Sequence, residues 1–323
     1  MKPKILVVGS LVLDLVCTCS SFPQKGETKL GLDFSMAPGG KGANQAMQAA
    51  LLGADVSMAG KVGKDDFGKK LVSSLAGAGA DVSMIRESET RPSAVGSIQI
   101  EQSAEGSANR ILVIPGANMD IHPEDLAPVL DRLGDYRMVI LQLEIPMEIN
   151  EVVAAAAYEK GVPVMLNSAP SAPLSDELLR HITYISPNEH EAYDLTGIRV
   201  TDEESASAAI AALLEKGVKN VIITMGDKGA AFGNTSGFLT VPCAHYGTAV
   251  DPTAAGDSFV GAYCTAVCSG ADNRSALEFA AHAAAITVCR PGAQPSLPRI
   301  EEVLDFMKSC GKDISVFDEL RRG

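Results

Sequence analysis

The stretch "DPTAAGDSF", residues 251–259, places an acid directly after the small residues that an anion site needs. Asp257 follows Ala254, Ala255 and Gly256, where an apolar, helix-like run begins. A helix start presents unpaired backbone N–H groups and the positive end of the helix dipole, so small residues there let phosphate approach. A carboxylate beside that phosphate could take a proton from an attacking hydroxyl. The alternative is that Asp257 only caps the helix, since Asp is favoured in a first helical turn.

A second glycine-rich stretch, "APGGKGANQA" at residues 37–46, also precedes an Ala-rich helical pattern. It is not a Walker A loop, because no glycine precedes the Gly-Lys pair at the required distance and no Ser or Thr follows Lys41. The dinucleotide fingerprint G-x-G-x-x-G is absent after the first apolar run, which disfavours a dinucleotide-dependent oxidoreductase. Lys41 and Asn44 could hydrogen-bond ligand hydroxyls, or the stretch is only a structural turn before a helix.

Short apolar runs alternate with longer Ala- and Leu-rich stretches along most of the chain. The runs include "KILVVGS", "MVILQLE", "PVMLNSAP" and "NVIITMGDKG", and helical patterns such as "MEINEVVAAAAYEKG" lie between them. This alternation predicts βαβ units, and therefore a largely parallel sheet covered by helices on both faces. Ligands bind at the carboxyl ends of such strands. Four runs end there in polar residues, namely Glu144, Asn167, Asn188 and Thr224.

Two segments, residues 15–37 and 93–115, break this alternation. Both have the pattern of alternating strands joined by turns that contain Gly and Ser, with no helix between them. We expect them to form a small separate β-sheet that covers the ligand cleft or contacts a second subunit. The segments 1–14, 38–92 and 116–323 are expected to form the core. The charged C-terminal stretch "KDISVFDELRRG" is expected to be loosely attached.

The composition is that of an ordinary globular protein. The 323 residues are 46% hydrophobic and 21% charged, and the formal net charge is −13. That charge disfavours nucleic acid and anionic membranes as partners, because phosphate groups require clustered Lys and Arg. The N-terminal apolar run is short and interrupted by Asp14, and the seven cysteines are an odd number without a secretory signal. We therefore expect a cytoplasmic protein with reduced thiols.

The two glycine-rich stretches occur together in one family of proteins. "GGKGAN" paired with "DPTAAGDSF" resembles the ribokinase family of sugar and nucleoside kinases, also called the phosphofructokinase-B family. The similarity runs from "ILVVGS" to "GAQPSLP" and includes "FPQKGET", "LQLEIP", "NSAPS", "SPNEHEA" and "TMGDKGA". It implies a three-layer α/β/α core with a mainly parallel central sheet and a β-sheet lid that pairs subunits into a homodimer. It also implies transfer of the γ-phosphoryl group of ATP to a primary hydroxyl of a pentose.

The resemblance implies roles for the two stretches. Asp257 matches the family's catalytic base, and the backbone of Ala254, Ala255 and Gly256 matches the anion hole for the transferring phosphoryl group. Phosphoryl transfer needs positioning and charge stabilisation more than covalent help, which agrees with this assignment. The positions that match sugar-binding residues, besides Asp257, are Val12, Asp14, Gly39, Gly40, Lys41, Asn44 and Glu144. Considered one at a time, Asp14 could merely cap a turn, Lys41 could be a loop residue, and Glu144 could be the end of a strand.

The resemblance also implies a nucleotide site and two kinds of metal ion. The positions that match nucleotide contacts are Asn188, Thr224, Gly226, Asp227, Gly229, Gly256, Ala281 and His282. Glu191 in "NEHE" matches the family's N-x-x-E motif, which acts indirectly on Mg²⁺; the alternative is an ordinary helix start with an acid at its third position. His282 could instead be a packed histidine. The positions that match a K⁺ site, largely through backbone carbonyls, are Asp251, Thr253, Thr287, Arg290, Gly292 and Ser296.

Two residues depart from the family pattern. Val12 stands where ribose-phosphorylating members usually carry Asn, two residues before the sugar-binding Asp. A ribose hydroxyl left unpaired against Val12 would be disfavoured by about 1 to 3 kcal/mol. Members resembling deoxyribokinase also carry an apolar residue here, so 2-deoxyribose is the alternative substrate. Pro252 stands where Thr is common, and because proline lacks an N–H and restricts Asp251, the cation loop is expected to be stiffer or altered.

Three other functions stay open at this point. A nucleoside kinase or hexose kinase of the same fold is disfavoured by "GGKGAN" together with "LQLE". A non-catalytic, sugar-sensing relative is disfavoured because the base, the anion hole and the N-x-x-E motif all occur in this chain. A phosphorylated pentose is therefore the expected product, with ATP and Mg²⁺ as the phosphate source and K⁺ as an activator.

Overall fold

The computed structural model describes residues 2–103 and 106–321, so residues 104–105 of the predicted lid, residues 322–323 of the predicted tail and Met1 lie outside the described residues. The strands are β1 (Lys4–Val8), β2 (Val12–Cys19), β3 (Asp33–Gly39), β4 (Asp55–Gly63), β5 (Asp81–Ser88), β6 (Ala94–Ser103), β7 (Gly106–Ile114), β8 (Met138–Leu141), β9 (Val164–Leu166), β10 (Tyr184–Ile185), β11 (Asn220–Thr224), β12 (Ala230–Asn234) and β13 (Gly237–Val241). The helices are α1 (Lys41–Leu51), α2 (Asp66–Gly77), α3 (Ala127–Arg132), α4 (Met147–Glu159), α5 (Asp176–His181), α6 (Glu189–Thr196), α7 (Glu203–Glu215), α8 (Ala255–Cys268), α9 (Asn273–Thr287), α10 (Ile300–Ser309) and α11 (Asp318–Arg321). Within these ranges, no helix is both long and apolar enough to cross a membrane.

The larger sheet has nine strands in the order β13-β12-β11-β10-β9-β8-β1-β4-β5. Its strands pair in parallel from β11 to β5, as the βαβ pattern predicts. Only the edge is antiparallel, where a tight turn between Asn234 and Gly237 folds β13 back onto β12. The prediction of a mainly parallel α/β sheet is confirmed.

Helices cover both faces of this sheet. Ile5 and Val7 of β1 pack into one hydrophobic cluster, to which α1, α2, α8, α9 and α10 contribute. Leu6 and Val8 pack into a second cluster with α3, α4, α5, α6 and α7. Successive strand residues point to opposite faces, so these two clusters lie on opposite sides of the sheet. The three-layer α/β/α prediction is confirmed.

A separate four-stranded sheet has the order β3-β2-β6-β7. Strand β2 pairs in parallel with β6 and antiparallel with β3, and β6 pairs antiparallel with β7. The small sheet begins at Val12 and ends its second strand at Gly39, so it includes residues 12–14 and 38–39 that we expected in the core. Only three residues separate β1 from β2, and the small sheet therefore grows directly out of the carboxyl end of a central strand.

The expectation of a loosely attached tail is wrong for the described residues up to Arg321. Phe317 and Leu320 are 0% and 2% exposed and belong to the first core cluster. The Phe317 ring stacks on Phe279 of α9 with centroids 4.5 Å apart. Lys312 also pairs with Glu278 at 2.9 Å. The charged residues of this stretch concealed two apolar side chains three positions apart, which is the spacing of one helical face.

Candidate active site

A cavity of about 210 Å³ lies at the carboxyl ends of the parallel strands. Asn167 and Ser186 follow β9 and β10 directly, and Thr224 ends β11, so the sheet edge predicted to bind ligands forms one wall. The residues that line the cavity are Lys41, Asn167, Ala169, Ser186, Asn188, Glu191, Thr224, Pro252, Ala254, Gly256 and Asp257. The starts of α1, α6 and α8 therefore converge on this space.

Asp257 is held by two amide side chains of α1. Its Oδ2 accepts a hydrogen bond of 2.8 Å from Asn44 Nδ2, and its Oδ1 accepts one of 2.9 Å from Gln45 Nε2. The side chain is only 6% exposed but still lines the cavity. Because these bonds run to another helix, the carboxylate does not serve as the cap of α8, and the N-cap position belongs to Ala254.

Burial and neighbouring charges oppose each other at this acid. Burial, the largest influence, and Glu144 raise the pKa of Asp257 above its ordinary value, and Lys41, Asn44 and Gln45 offset only part of that rise. Burial would lower the pKa of Lys41, but the carboxylates of Asp257, Glu144 and Glu191 raise it instead. The ammonium group of Lys41 is thus kept charged in an acidic cleft, where it can bind an anion.

The start of α8 leaves its first N–H groups without a side-chain cap. Ala254 occupies the N-cap with φ of +61°, a left-handed conformation that costs a non-glycine residue about 1 to 2 kcal/mol. A Cβ added to Gly256 would meet no heavy atom within 4 Å. The helix therefore presents a free dipole end and an unobstructed backbone to the cavity, and these are the requirements of an anion site.

Asp14 lies in a cradle formed by two glycines of the neighbouring strands. A Cβ on Gly96 would stand 2.3 Å from Asp14 Oδ1, and one on Gly39 would stand 3.0 Å from Oδ2. Burial and the negative charge of Glu144 raise the pKa of Asp14 to about 6. Gly96 was missed by the sequence reasoning, because it matters only through the pairing of β2 with β6.

The other predicted sugar residues cluster around the start of α1. Glu144 accepts hydrogen bonds from the Ser10 hydroxyl and from the backbone N–H of Lys41, the latter at 3.0 Å. The Oδ1 atom of Asn44 is buried and has no partner among the described residues, so it is available to accept from a ligand hydroxyl. Gly40, with φ of +93°, lies so close to Val12 that a Cβ would stand 2.7 Å from the Val12 nitrogen.

Val12 itself is 5% exposed and pairs with Gly39 and Ala94 on either side. It precedes Asp14 by two positions on β2, so the two side chains share one face of the small sheet. An apolar side chain therefore lies on the same face as the predicted sugar-binding acid.

Asn188 and Glu191 form a reciprocal cap at the start of α6. Asn188 Oδ1 accepts from the backbone N–H of Glu191 at 2.9 Å, and Glu191 Oε2 accepts from the N–H of Asn188 at 3.0 Å. Asn188 Nδ2 also donates to Glu191 Oε1 at 2.9 Å. The two residues thus cap the helix, as the alternative interpretation of this motif predicted, and both also line the cavity. A bridge between Asn188 and Thr224 fixes the two nucleotide-side residues beside each other.

The remaining nucleotide residues lie outside the cavity lining. Gly226 and Gly229 have φ of +53° and +93° and bound the tight turn that contains Asp227, after β11. Ala281 is 8% exposed and His282 5%. The His282 Nδ1 lies 2.7 Å from the Glu278 carbonyl oxygen, and its ring lies 4.7 Å from the Phe306 ring, so it is a packed histidine.

Two of the predicted cation residues, Asp251 and Gly292, connect the loop before α8 to the segment that follows α9. The Asp251 carboxylate accepts from the N–H groups of Thr253 and Gly292 at 2.9 and 2.8 Å. The side chains of the other predicted residues bond elsewhere: Thr287 to Ser258 and Ala283, Ser296 to Ala293, and Arg290 to Glu302. The side chains of Thr287, Ser296 and Arg290 are therefore engaged within the protein, and carbonyl ligation of a cation stays a prediction.

Fold and site together define an α/β sugar kinase, with a buried acid and an uncapped helix start facing one cleft. The chain belongs to the pfkB family of carbohydrate kinases, whose family model matches residues 2–300. It is 40% identical to the ribokinase of Schizosaccharomyces pombe over 308 residues, which cover 93% of this chain and 96% of that protein. It is 34% identical to the deoxyribokinase of Salmonella typhi over 304 residues, which cover 94% and 98%. The structure of Arabidopsis thaliana ribokinase complexed with ribose and ATP matches with a TM-score of 0.89 at 34% identity, covering 95% of this chain and 99% of that one.

Proposed function

We propose that the protein is an ATP-dependent pentose kinase that converts D-ribose and ATP into D-ribose 5-phosphate and ADP. The observation that carries this proposal is the Asp257 carboxylate, buried at the cavity wall between two amide donors and one turn from an uncapped helix start. The likeness to ribokinases over nearly the whole chain supports the choice of substrate. A sugar-sensing role without catalysis is disfavoured, because base, anion site and Lys41 occur together at one cavity.

In this reaction Asp257 is the general base. The primary hydroxyl oxygen of the sugar bonds to the γ-phosphorus, the bond from that phosphorus to the bridging β–γ oxygen breaks, and the hydroxyl proton passes to Asp257. ADP leaves with the bridging oxygen. At the start of α8 the backbone of Ala254 and Gly256 lines the cavity and would face the charge on the transferring group, and Lys41 adds a positive charge there. The N–H of Ala255, which the sequence also assigned to the anion hole, instead donates to the Pro252 carbonyl at 3.2 Å.

The sugar is held on the side of Asp14, Asn44 and Glu144. Asn44 connects this region to the base, because its Nδ2 donates to Asp257 while its Oδ1 has no protein partner. Glu144 already fixes the first N–H of α1, so it positions Lys41 as well as offering an oxygen to a hydroxyl. Glu144 bonds the start of α1 and its charge acts on Asp14, so these acceptors near one helix start favour a polyhydroxylated ligand.

Mg²⁺ fits this cleft through its water shell. Among residues 2–103 and 106–321, no group of three His, Cys, Asp or Glu side chains could hold a metal ion. Both Glu191 oxygens accept hydrogen bonds from Asn188. Mg²⁺ keeps several waters and binds readily to phosphate oxygens, so we infer that Asn188 and Glu191 orient its waters. The ion would supply positive charge against the phosphates of the nucleotide.

K⁺ fits the loop that Asp251 organises. Burial would raise the pKa of Asp251, but hydrogen bonds from Thr253 and Gly292 lower it, so the loop keeps a negative charge. The N–H groups of Val250 and Asp251 bond to the Val288 carbonyl, which ties this loop to the segment after α9. We infer that K⁺ bound to nearby main-chain carbonyls would stiffen the start of α8 despite Pro252.

A second candidate substrate is 2-deoxyribose. Val12 shares a sheet face with Asp14 and cannot hydrogen-bond a ribose hydroxyl. A sugar that lacks the hydroxyl at this place would lose nothing by binding there. The likeness to a deoxyribokinase over 94% of the chain supports keeping this candidate.

We also propose that the small sheet acts as a lid and joins two copies of the chain. Apolar side chains are exposed on its two edge strands: Phe34 and Met36 on β3, and Ile111, Leu112, Val113 and Ile114 on β7. Leu112 is 66% exposed, and a run of exposed large apolar side chains is typical of a surface that another protein covers. A second copy offers the same apolar surface, so a symmetric pair would cover both patches.

The proposal is tested by measuring ADP release with ribose and with 2-deoxyribose, each in K⁺ and in an equal concentration of choline. We expect turnover of ribose that K⁺ increases. A larger kcat/KM for 2-deoxyribose would select the second candidate, and another pentose, a hexose or a nucleoside in parallel wells would reveal a different acceptor. Inactivity with both pentoses would remove the pentose-kinase proposal.

A further inference from the structure

Gln45 contacts the predicted base but was not among the residues that the sequence predicted for the site. It is the fifth residue of α1 and is 0% exposed. Its Nε2 donates to Asp257 Oδ1 at 2.9 Å and to Asn167 Oδ1 at 3.2 Å. Its Oε1 accepts from Gln142 Nε2 at 2.7 Å. Every polar atom of this side chain is therefore engaged inside the protein.

A main-chain carbonyl fixes the direction of these bonds. Asn167 Nδ2 donates to the Ser186 carbonyl at 3.0 Å, and a carbonyl oxygen can only accept. The amide of Asn167 must therefore point its oxygen the other way, towards Gln45. Gln45 in turn must present its NH₂ group on that side, which is also the side of Asp257. A rotated Gln45 amide would place its oxygen against the Asn167 oxygen.

We propose that Gln45 is a positioning residue that holds Asp257 as an ionised, correctly oriented base, and that Asn167 and the Ser186 carbonyl dictate its orientation. The inference rests on the proposed function, because it assigns Asp257 the role of base. A donor-only neighbour stabilises a carboxylate and offers nothing to a neutral acid's proton. With Gln45 on Oδ1 and Asn44 on Oδ2, the carboxylate plane is fixed, and each oxygen keeps capacity for one more proton donor.

Asp257 needs the Gln45 donor to ionise, because burial and two neighbouring carboxylates oppose a negative charge there. Of the charged groups that face it, Lys41 favours the ionised form, whereas Glu144 and Glu191 oppose it. Burial also opposes ionisation. The carboxylate thus depends on one ammonium group and two amide donors, and Gln45 supplies one of those three favourable contacts.

The test is the pH dependence of kcat for Gln45→Met at saturating sugar and ATP. Met fills a similar volume without an N–H donor. We expect the acid limb of the profile to move up by about one to two pH units, as for the loss of one hydrogen bond to a charged group. At a pH below this limb kcat should fall by roughly ten- to a hundredfold, while both KM values stay within about a factor of two. An acid limb that does not move would overturn the proposal.

Gln142→Met is the matched control. Gln142 is equally buried and bonds to Gln45, but its loss leaves the contact between Asn167 and Gln45 in place. The acid limb of the kcat–pH profile of Gln142→Met should therefore match that of the wild type, even if the melting temperature of the variant falls. If both variants shifted the limb equally, Gln45 would have only a structural role.

A second variant covers the case in which Gln45→Met does not fold. Gln45→Glu keeps the shape of the side chain but needs a proton to face both Asp257 and Asn167, so its acid limb should also move up. An unmoved limb would again count against the proposal. The single variant Asp257→Asn separates the two claims. If Asp257→Asn alone keeps full turnover, the proposed function fails; if it abolishes turnover while the Gln45 variants leave the limb unmoved, only the present inference fails.

Discussion

At the scale of single residues, Asp14 gives the cleft a pH dependence of its own. Burial and Glu144 raise its pKa to about 6, so it is ionised at pH 7.5 and largely protonated at pH 5. As an acceptor for sugar hydroxyls it works best as a carboxylate. We therefore expect the KM for the sugar to rise as the pH falls through about 6, with a smaller change in kcat.

The measurement is KM for the sugar from pH 5 to pH 8, with Asp14→Asn as the control. The control should have a higher KM at pH 8 but a flatter dependence on pH. A wild-type KM that is constant over this range would show that Asp14 does not hold the sugar as a carboxylate.

Val12 is the residue at which the two candidate substrates differ. Val12→Asn would place a donor and an acceptor on the face that Asp14 occupies. One added hydrogen bond predicts that the ratio of kcat/KM for ribose to that for 2-deoxyribose rises roughly tenfold. Val12→Leu, which adds no polar group, should not raise it. If Val12→Asn leaves the ratio unchanged, this side chain does not contact the sugar.

At the scale of elements, the start of α8 combines a left-handed N-cap residue, Ala254, with a backbone that a ligand can approach at Gly256. Gly256 lines the cavity, and a methyl group there would meet no protein atom. Gly256→Ala should keep or raise the free energy of unfolding by up to about 1 kcal/mol, because Ala is the better helix former. It should lower kcat/KM for ATP at least about tenfold, since the methyl group would stand where phosphate must approach.

Thermal unfolding and ATP kinetics, measured on the same preparation of Gly256→Ala, test whether stability is kept while kcat/KM for ATP falls. The control is Gly77→Ala at the end of α2, where the added methyl group meets no atom and lies away from the cleft. Gly270, just after α8, is unsuitable because its φ of +100° would strain an alanine. Unimpaired ATP kinetics in Gly256→Ala would argue against phosphate binding at this backbone.

The elements could be predicted from sequence because their signals are local. Apolar runs ending in polar residues gave the strands that line the cleft, and the small residues before Asp257 indicated the helix start. Gln45 and Gly96 could not be found in this way, because one acts across a helix pair and the other across two strands. The buried tail was missed because its charges outnumber the two side chains that pack, Phe317 and Leu320.

At the scale of the whole molecule, the exposed apolar edges of the small sheet predict a dimer. Replacing Leu112 by Glu would place a charge in the surface that we propose a second copy covers, so the variant should dissociate to monomers. Tyr158→Glu, at a 51% exposed site on α4, is the control and should keep the wild-type assembly. Light scattering at micromolar concentration measures both. A wild-type chain that is monomeric under these conditions would contradict the proposed pairing.

The measurement that tests the central claim most directly is the turnover of Asp257→Asn with ribose and ATP. Asn keeps the size of the side chain but cannot take the hydroxyl proton, so kcat should fall by about 10²- to 10⁴-fold while the protein stays folded and binds both substrates. A variant that retains kcat within a few-fold of the wild type would contradict the role of Asp257 as the base.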